Sequence, residues 1–86
     1  MKRKYVIGEI IDKATGKRSE KFAYRVGRTC QLDDEYVNEG VVLIVGYPER
    51  NAYLRTSTVL SIDEDDRGIW VETLNSKYRF DNLYNS

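Results

Sequence analysis

The sequence predicts an all-β domain, and three observations carry that prediction. Of the 86 residues, 41% are hydrophobic and 33% charged, with seven Tyr, two Phe and one Trp. Aliphatics that lean to Val and Ile, joined by this many aromatics, suit a pleated, half-buried surface. Apolar residues recur with period two over most of the chain, the signature of strands with one buried face. Gly, Asn and Asp clusters interrupt that pattern at hairpin spacing, with a single proline in the whole chain. So short a chain holds one domain, expected to span 1–86 with a frayed tail at 82–86.

The elements follow in order. Residues 4–12 read as a strand ended by a turn at Lys13–Lys17, where Gly16 can supply a positive φ. Residues 18–29 alternate, with Phe22, Tyr24 and Val26 on one face, and read as the second strand of a long hairpin with a bulge at Gly27. Residues 32–40 lack alternation. Asp33 can cap one helical turn there and Gly40 can end it. The apolar run 41–47 has the length of a central buried strand, followed by a turn at Pro48–Asn51. Residues 52–64 keep period two except at Val59, and a kink at Thr56-Ser57-Thr58 would restore the phase. Asp65–Gly68 reads as a hairpin loop. Residues 69–74 place Ile69, Val71 and Thr73 on one face. After a turn at Asn75-Ser76, residues 77–81 put Tyr78 and Phe80 inward and Lys77 and Arg79 outward.

Five to six antiparallel strands, with at most one short helical turn near 33–39, bury an apolar face most economically by curling into a small barrel. The closing meander from Thr56 to Ile62 and from Ile69 to Phe80 resembles SH3-like small β-barrels. It is also similar to small proteins of Gram-positive bacteria and their mobile elements. The resemblance covers about the last third of the chain and implies a fold, not an activity.

The common catalytic routes are missing. Histidine is absent, which removes Ser-His-Asp and Cys-His catalysis and the commonest metal ligand. Cys30 is the one cysteine, so neither a zinc quartet nor an internal disulfide can form. A thiolate at Cys30 would need a lowered pKa, for which Arg25 and Arg28 are the nearby cations; the alternative is a small core residue. The acidic run from Asp63 to Gly68 imitates the start of a calcium loop, but Arg67 stands at the third ligand and Leu74 at the last. No phosphate-cradling glycine loop occurs. The expectation is a domain without enzymatic activity, cofactor or metal. The longest apolar run is too short to span a bilayer and no signal peptide is evident, so the expected location is cytoplasmic with no membrane partner.

Charge is neutral overall but polarised. Residues 1–30 hold nine Lys/Arg against three acids, a net of +6; the remainder holds five against eleven, a net of −6. Such asymmetry marks either a binding face or two halves that pair across the sheet. Arg25, Arg28, Tyr53, Arg55, Trp70, Lys77 and Arg79 form the candidate binding face, on the expectation that the basic strands lie beside Tyr53 and Trp70. The expected partner is another protein, as for an inhibitory or accessory module of a phage or mobile element, with a homo-oligomer in the same class. The alternative is a single-stranded nucleic acid stacked on aromatics beside a basic groove, although a neutral domain lacks the basic excess such binders carry.

Overall fold

Alternation, turns and bulges together set the architecture, seen in a computed structural model that describes residues 2–47 and 50–83. The strands are β1 (Lys2–Asp12), β2 (Lys17–Arg18), β3 (Thr29–Asp33), β4 (Val42–Tyr47), β5 (Ala52–Asp65), β6 (Gly68–Thr73) and β7 (Ser76–Asn82). All pairings are antiparallel, in the order β2-β1-β3-β4-β5-β6-β7, and β1 also pairs with β7. That last pairing closes β1, β3, β4, β5, β6 and β7 into a six-stranded barrel; β2 is the extra strand on β1. No helix among the described residues is long and apolar enough to cross a membrane.

The barrel interior is the core. Tyr5, Ile7 and Ile10 of β1, Leu32 of β3, Leu43 and Val45 of β4, Val71 of β6 and Phe80 of β7 meet there. Phe80 is the hub: Tyr5 meets it edge-on with ring centroids 6.1 Å apart, and Tyr78 stacks on it at 6.0 Å. Cys30 is fully buried in this core, so the small-core-residue alternative is the one the fold adopts.

Three register shifts keep apolar residues inside. In β1 the pairing with β7 slips at Gly8, so Ile7 faces Phe80 and Glu9 faces Arg79. The inserted residue moves the inward phase from Tyr5 and Ile7 to Ile10 and leaves Glu9 outside. A Cβ at Gly8 would collide with the Asp81 carboxylate. In β5 the register shifts twice, between Arg55 and Thr58 against β4 and between Val59 and Ser61 against β6. The kink expected at 56–58 is there. Thr56 is buried at it, accepting from the Leu43 N–H at 3.0 Å and donating to the Ser57 carbonyl at 2.7 Å. After the kink Val59 is buried and Leu60 is exposed.

The expected strand over 18–29 is corrected most. Only Lys17–Arg18 and Thr29–Asp33 are strand, with a 3-10 turn at Ala23–Arg25 between them. Local hydrogen bonds outcompete the ladder: Ser19 Oγ accepts from the Phe22 N–H, and the Arg25 and Val26 N–H groups donate to Phe22 and Ala23 carbonyls. Phe22 then packs against the barrel core, while Tyr24 and Val26 face solvent. Gly27, at φ +91°, returns the chain to β1 by donating to the Ile7 carbonyl at 2.7 Å. A further 3-10 turn spans Asp34–Tyr36, where one was expected, and the Asp33 side chain caps it by accepting from the Glu35 N–H. The hairpin loop after β5 is where it was expected. The next turn is formed by Leu74 and Asn75, one residue earlier than expected. Pro48 and Glu49 of the expected turn, and positions 84–86 of the expected frayed tail, lie outside the described residues.

The bulge phase predicts a contrast between neighbours. Val59→Ala should cost about 2 kcal/mol or more, and Leu60→Ala less than about 1 kcal/mol, in urea unfolding followed by Trp70 fluorescence. Gly68→Ala should cost about 1–3 kcal/mol or more, because its Cβ would overlap the Phe80 carbonyl oxygen.

Candidate binding site at the barrel seam

The seven residues singled out in the sequence do not form one face. The structure sorts them into three places.

Trp70, Lys77 and Arg79 lie on the outer surface of β5, β6, β7 and β1. Cross-strand register lines up Asp63, Trp70, Arg79 and Glu9 in one row, and Ser61, Glu72, Lys77 and Ile11 in the next. A shallow groove of about 300 Å³ runs between the rows. Arg79 is held by neighbouring carboxylates of the fold. Its side chain is only 10% exposed. Nη1 and Nη2 donate to the two Asp65 oxygens at 2.9 and 3.0 Å, and Nε donates to Asp81 at 2.8 Å. The guanidinium also lies over the Trp70 ring, 5.7 Å from its centroid. Asp65 accepts from the Arg67 and Gly68 N–H groups as well, which builds the hairpin loop. Hydrogen bonding to Arg79, above all, pulls the Asp65 carboxyl down to about 2, and the Arg79 guanidinium is correspondingly held more firmly protonated. Glu72 is lowered by its 2.6 Å contact with Lys13, and Glu9 pairs with Arg18 at 3.6 Å.

Arg25 and Arg28 lie in the segment that folds over one end of the barrel. Arg25 stacks on Phe22 at 4.5 Å and on Tyr24 at 5.3 Å; Arg28 stacks on Tyr24 at 5.0 Å and on Tyr47 at 5.9 Å. Arg25 Nε donates to the Tyr24 hydroxyl at 3.1 Å. Arg25 Nη1 and the Tyr47 hydroxyl are buried there without hydrogen bonds, and burial pushes the Tyr47 phenol up. The neighbouring Cys30 thiol gains nothing from these cations: burial pushes it up to about 12. At neutral pH the thiolate that nucleophilic chemistry needs is therefore suppressed. Among the described residues no three His, Cys, Asp or Glu side chains converge as a metal site would require.

Tyr53 and Arg55 occupy the third place, together with residues that sequence reasoning missed. Among the described residues β3 and β4 are joined by one register pair, Gln31 opposite Gly46. From there the two strands diverge, and the 3-10 turn carrying Tyr36 follows β3. The opening is a groove of about 300 Å³ lined by Gln31, Asp33, Tyr36, Ile44 and Gly46. Across β4, Ile44 pairs with Arg55 and Gly46 with Tyr53. Glycine leaves a gap in the outer row between Gln31 and Tyr53. Tyr36 is 64% exposed and Ile44 43%, so two large side chains stand in solvent at the groove, and Tyr53, 71% exposed, lies next to it on β5 across from Gly46. The run 41–47 had been expected as buried throughout. Instead only Leu43, Val45 and Tyr47 point inward, because a barrel of one layer offers nothing to cover the outer face of β4.

Comparison with protein-family models, with curated proteins and with solved structures finds no match to this chain.

Two outcomes are expected. Cys30 in the folded protein should resist a thiol reagent at pH 8 and react at once in denaturant. Asp65 has a folded pKa of about 2, below its ordinary value of 3.8. Its contribution to stability is therefore complete above that ordinary value and is lost as pH falls through 4 toward 2. In Arg79→Met the acid-induced loss over that window should be smaller, measured by urea midpoints at pH 5, 3.5 and 2.5.

Proposed function

We propose that this domain is a non-enzymatic protein-binding module of SH3-like type, acting in the cytoplasm as an accessory or inhibitory protein, and that it engages its partner at the β3–β4 seam. The observation that carries the reading is the exposure of Tyr36 and Ile44 in a groove that Gly46 also lines, with the exposed Tyr53 beside it on β5. Aromatic-lined grooves on small barrels suit extended segments of other proteins. Exposed tyrosines supply contact area at low entropic cost and keep a polar tip. The groove is shallow and open, which suits a side chain or strand better than an enclosed small substrate.

The nucleic-acid alternative is weakened by how the cations are used. Arg79 is bound to two carboxylates, and Arg25 and Arg28 lie on aromatic rings. Of the seven residues first singled out, Tyr53 and Arg55 are the two that stand at the seam, and they remain in the proposed site.

The test compares tagged wild type with Ile44→Glu and Tyr53→Ser on a lysate of the source cells. Ile44 and Tyr53 are exposed, so both variants should keep the wild-type circular dichroism and thermal midpoint. A specific co-purifying protein should be retained by wild type and lost from both variants. Salt-sensitive binding of single-stranded oligonucleotides that is lost in Arg55→Glu would instead favour nucleic acid.

A further inference from the structure

We propose that the segment folded over the end of the barrel binds a phosphate-class oxyanion, held by the Arg25 and Arg28 guanidiniums beside the Tyr47 hydroxyl. This site is separate from the β3–β4 seam and goes beyond the protein-binding reading.

The first observation is charge without a partner. Arg3, Lys13, Arg18 and Arg79 each reach a carboxylate within the chain. Arg25 and Arg28 reach none among the described residues, and Glu20 is the one acid between Ser19 and Arg28. Lys21 adds a third cation, 5.3 Å from the Phe22 ring centroid. Cations gathered on so short a segment repel one another until an anion joins them.

The second observation is how the two arginines are held. The Arg28 N–H donates to the Arg25 carbonyl at 3.2 Å, a turn that brings the two residues together. Both guanidiniums lie against the same Tyr24 ring, at 5.3 and 5.0 Å from its centroid. A guanidinium meets an aromatic ring through its face and an oxyanion through the N–H groups at its edge. Stacking therefore leaves donors free, and it reduces the rotamer freedom lost when a ligand arrives.

The third observation is independent of charge. Tyr47 is 6% exposed, and its hydroxyl and Arg25 Nη1 are buried without hydrogen bonds. Burial raises the Tyr47 phenol, while Arg25 and Arg28 pull it the other way, so both cations lie close to that hydroxyl. Unmet donors beside unpaired cations call for an acceptor that is negative and has several lone pairs. A carboxylate offers two oxygens and one charge, which a single guanidinium fork satisfies. A phosphate monoester offers three acceptor oxygens and a charge of about −1.5 to −2, which fits two guanidiniums and a hydroxyl. Cations at one point suit a single anion rather than a nucleic-acid strand, which needs a groove that tracks its backbone.

The experiment is an NMR titration of the full chain at fixed ionic strength, following the arginine Nε–H groups. The probes are inorganic phosphate, phenyl phosphate and acetate. Both phosphates should shift Arg25 and Arg28 saturably and leave Arg55 still, and acetate should bind about tenfold more weakly or worse. Phenyl phosphate should bind less tightly as pH falls through about 6, where its second proton returns. Tighter binding of phenyl phosphate than of inorganic phosphate assigns the site to an ester carried on another molecule; the reverse assigns it to free phosphate. Arg28→Leu should raise the dissociation constant by about tenfold or more. Arg28→Lys keeps the charge without the fork and should raise it by a smaller factor, and it serves if the Leu variant fails to fold by circular dichroism. Arg55→Gln should change nothing. No saturable shift with either phosphate, equal shifts at Arg55, acetate binding as tight as phosphate, or a dissociation constant unchanged in whichever Arg28 variant folds would overturn the proposal. Phosphate binding that survives in Ile44→Glu while the captured protein is lost shows the two sites to be distinct.

Discussion

β1 hydrogen-bonds along both of its edges, and the rest of the fold depends on that double pairing. One edge runs against β7 from Tyr5 to Asp12. The other is shared in sequence by β3 against residues 2–6, by the Gly27–Arg28 backbone at Ile7, by Ser19 at Ile10 and by β2 at Ile11–Asp12. Closing a sheet into a barrel needs twisted, bent strands, and the bulge at Gly8 supplies both local twist and the phase change. Closure removes the two longest edges of the sheet and converts one apolar face into an enclosed core. In so short a chain that core needs every inward position from Tyr5 to Phe80. Little volume is left for an enclosed site.

The same economy governs charge. Arg3–Glu64 and Lys13–Glu72 join the basic first third of the chain to the acidic remainder across the barrel, so part of the polarity seen in the sequence is spent on folding. Arg79 shows how completely a surface-facing cation can be absorbed. It points outward from β7 by alternation, yet two carboxylates and an indole cover it. Gly8 sits beside this cluster because any side chain there would displace Asp81. Bulge, ion pair and Trp70 therefore form one structural unit on the outside of the β1–β7 closure.

Most of the fold was legible because period two survives in β6, in β7 and in much of β1. The Val59 anomaly correctly located a kink, since a bulge is a local event that the pattern itself records. Two things were not legible. The alternation of Phe22, Tyr24 and Val26 imitates a strand, but Ser19 and Gly27 favour turns at both ends, and Arg25 and Arg28 find aromatic rings only once the segment has folded over the barrel. The candidate face failed for a related reason. Sequence shows that a residue is basic or aromatic, not that Arg79 lies 2.8 Å from Asp81. Tyr53 and Arg55 lie across β4 and β5 from Gly46 and Ile44, and no ion pair takes up Arg55 among the described residues. Ile44 was within reach: in a single-layer barrel, alternate residues of any apolar run must face outward.

The seam is where these constraints leave something over. Among the described residues the β3–β4 junction has the fewest register pairs in the closed sheet, one where β1 and β7 have seven. A barrel that closed fully there would place β3 beside β4 along its length and cover the groove. Instead, Asp33 ends β3 by capping a turn, and the chain leaves the sheet carrying Tyr36 and Glu35 with it. The cap that terminates the strand is thus also the device that opens the groove. Replacing the turn by continued strand would improve closure and fill the groove. That the sequence places a capping residue there, and solvent-facing Ile44 and Tyr53 across from it, is the physical reason to look for a binding partner at the seam before anywhere else on this surface.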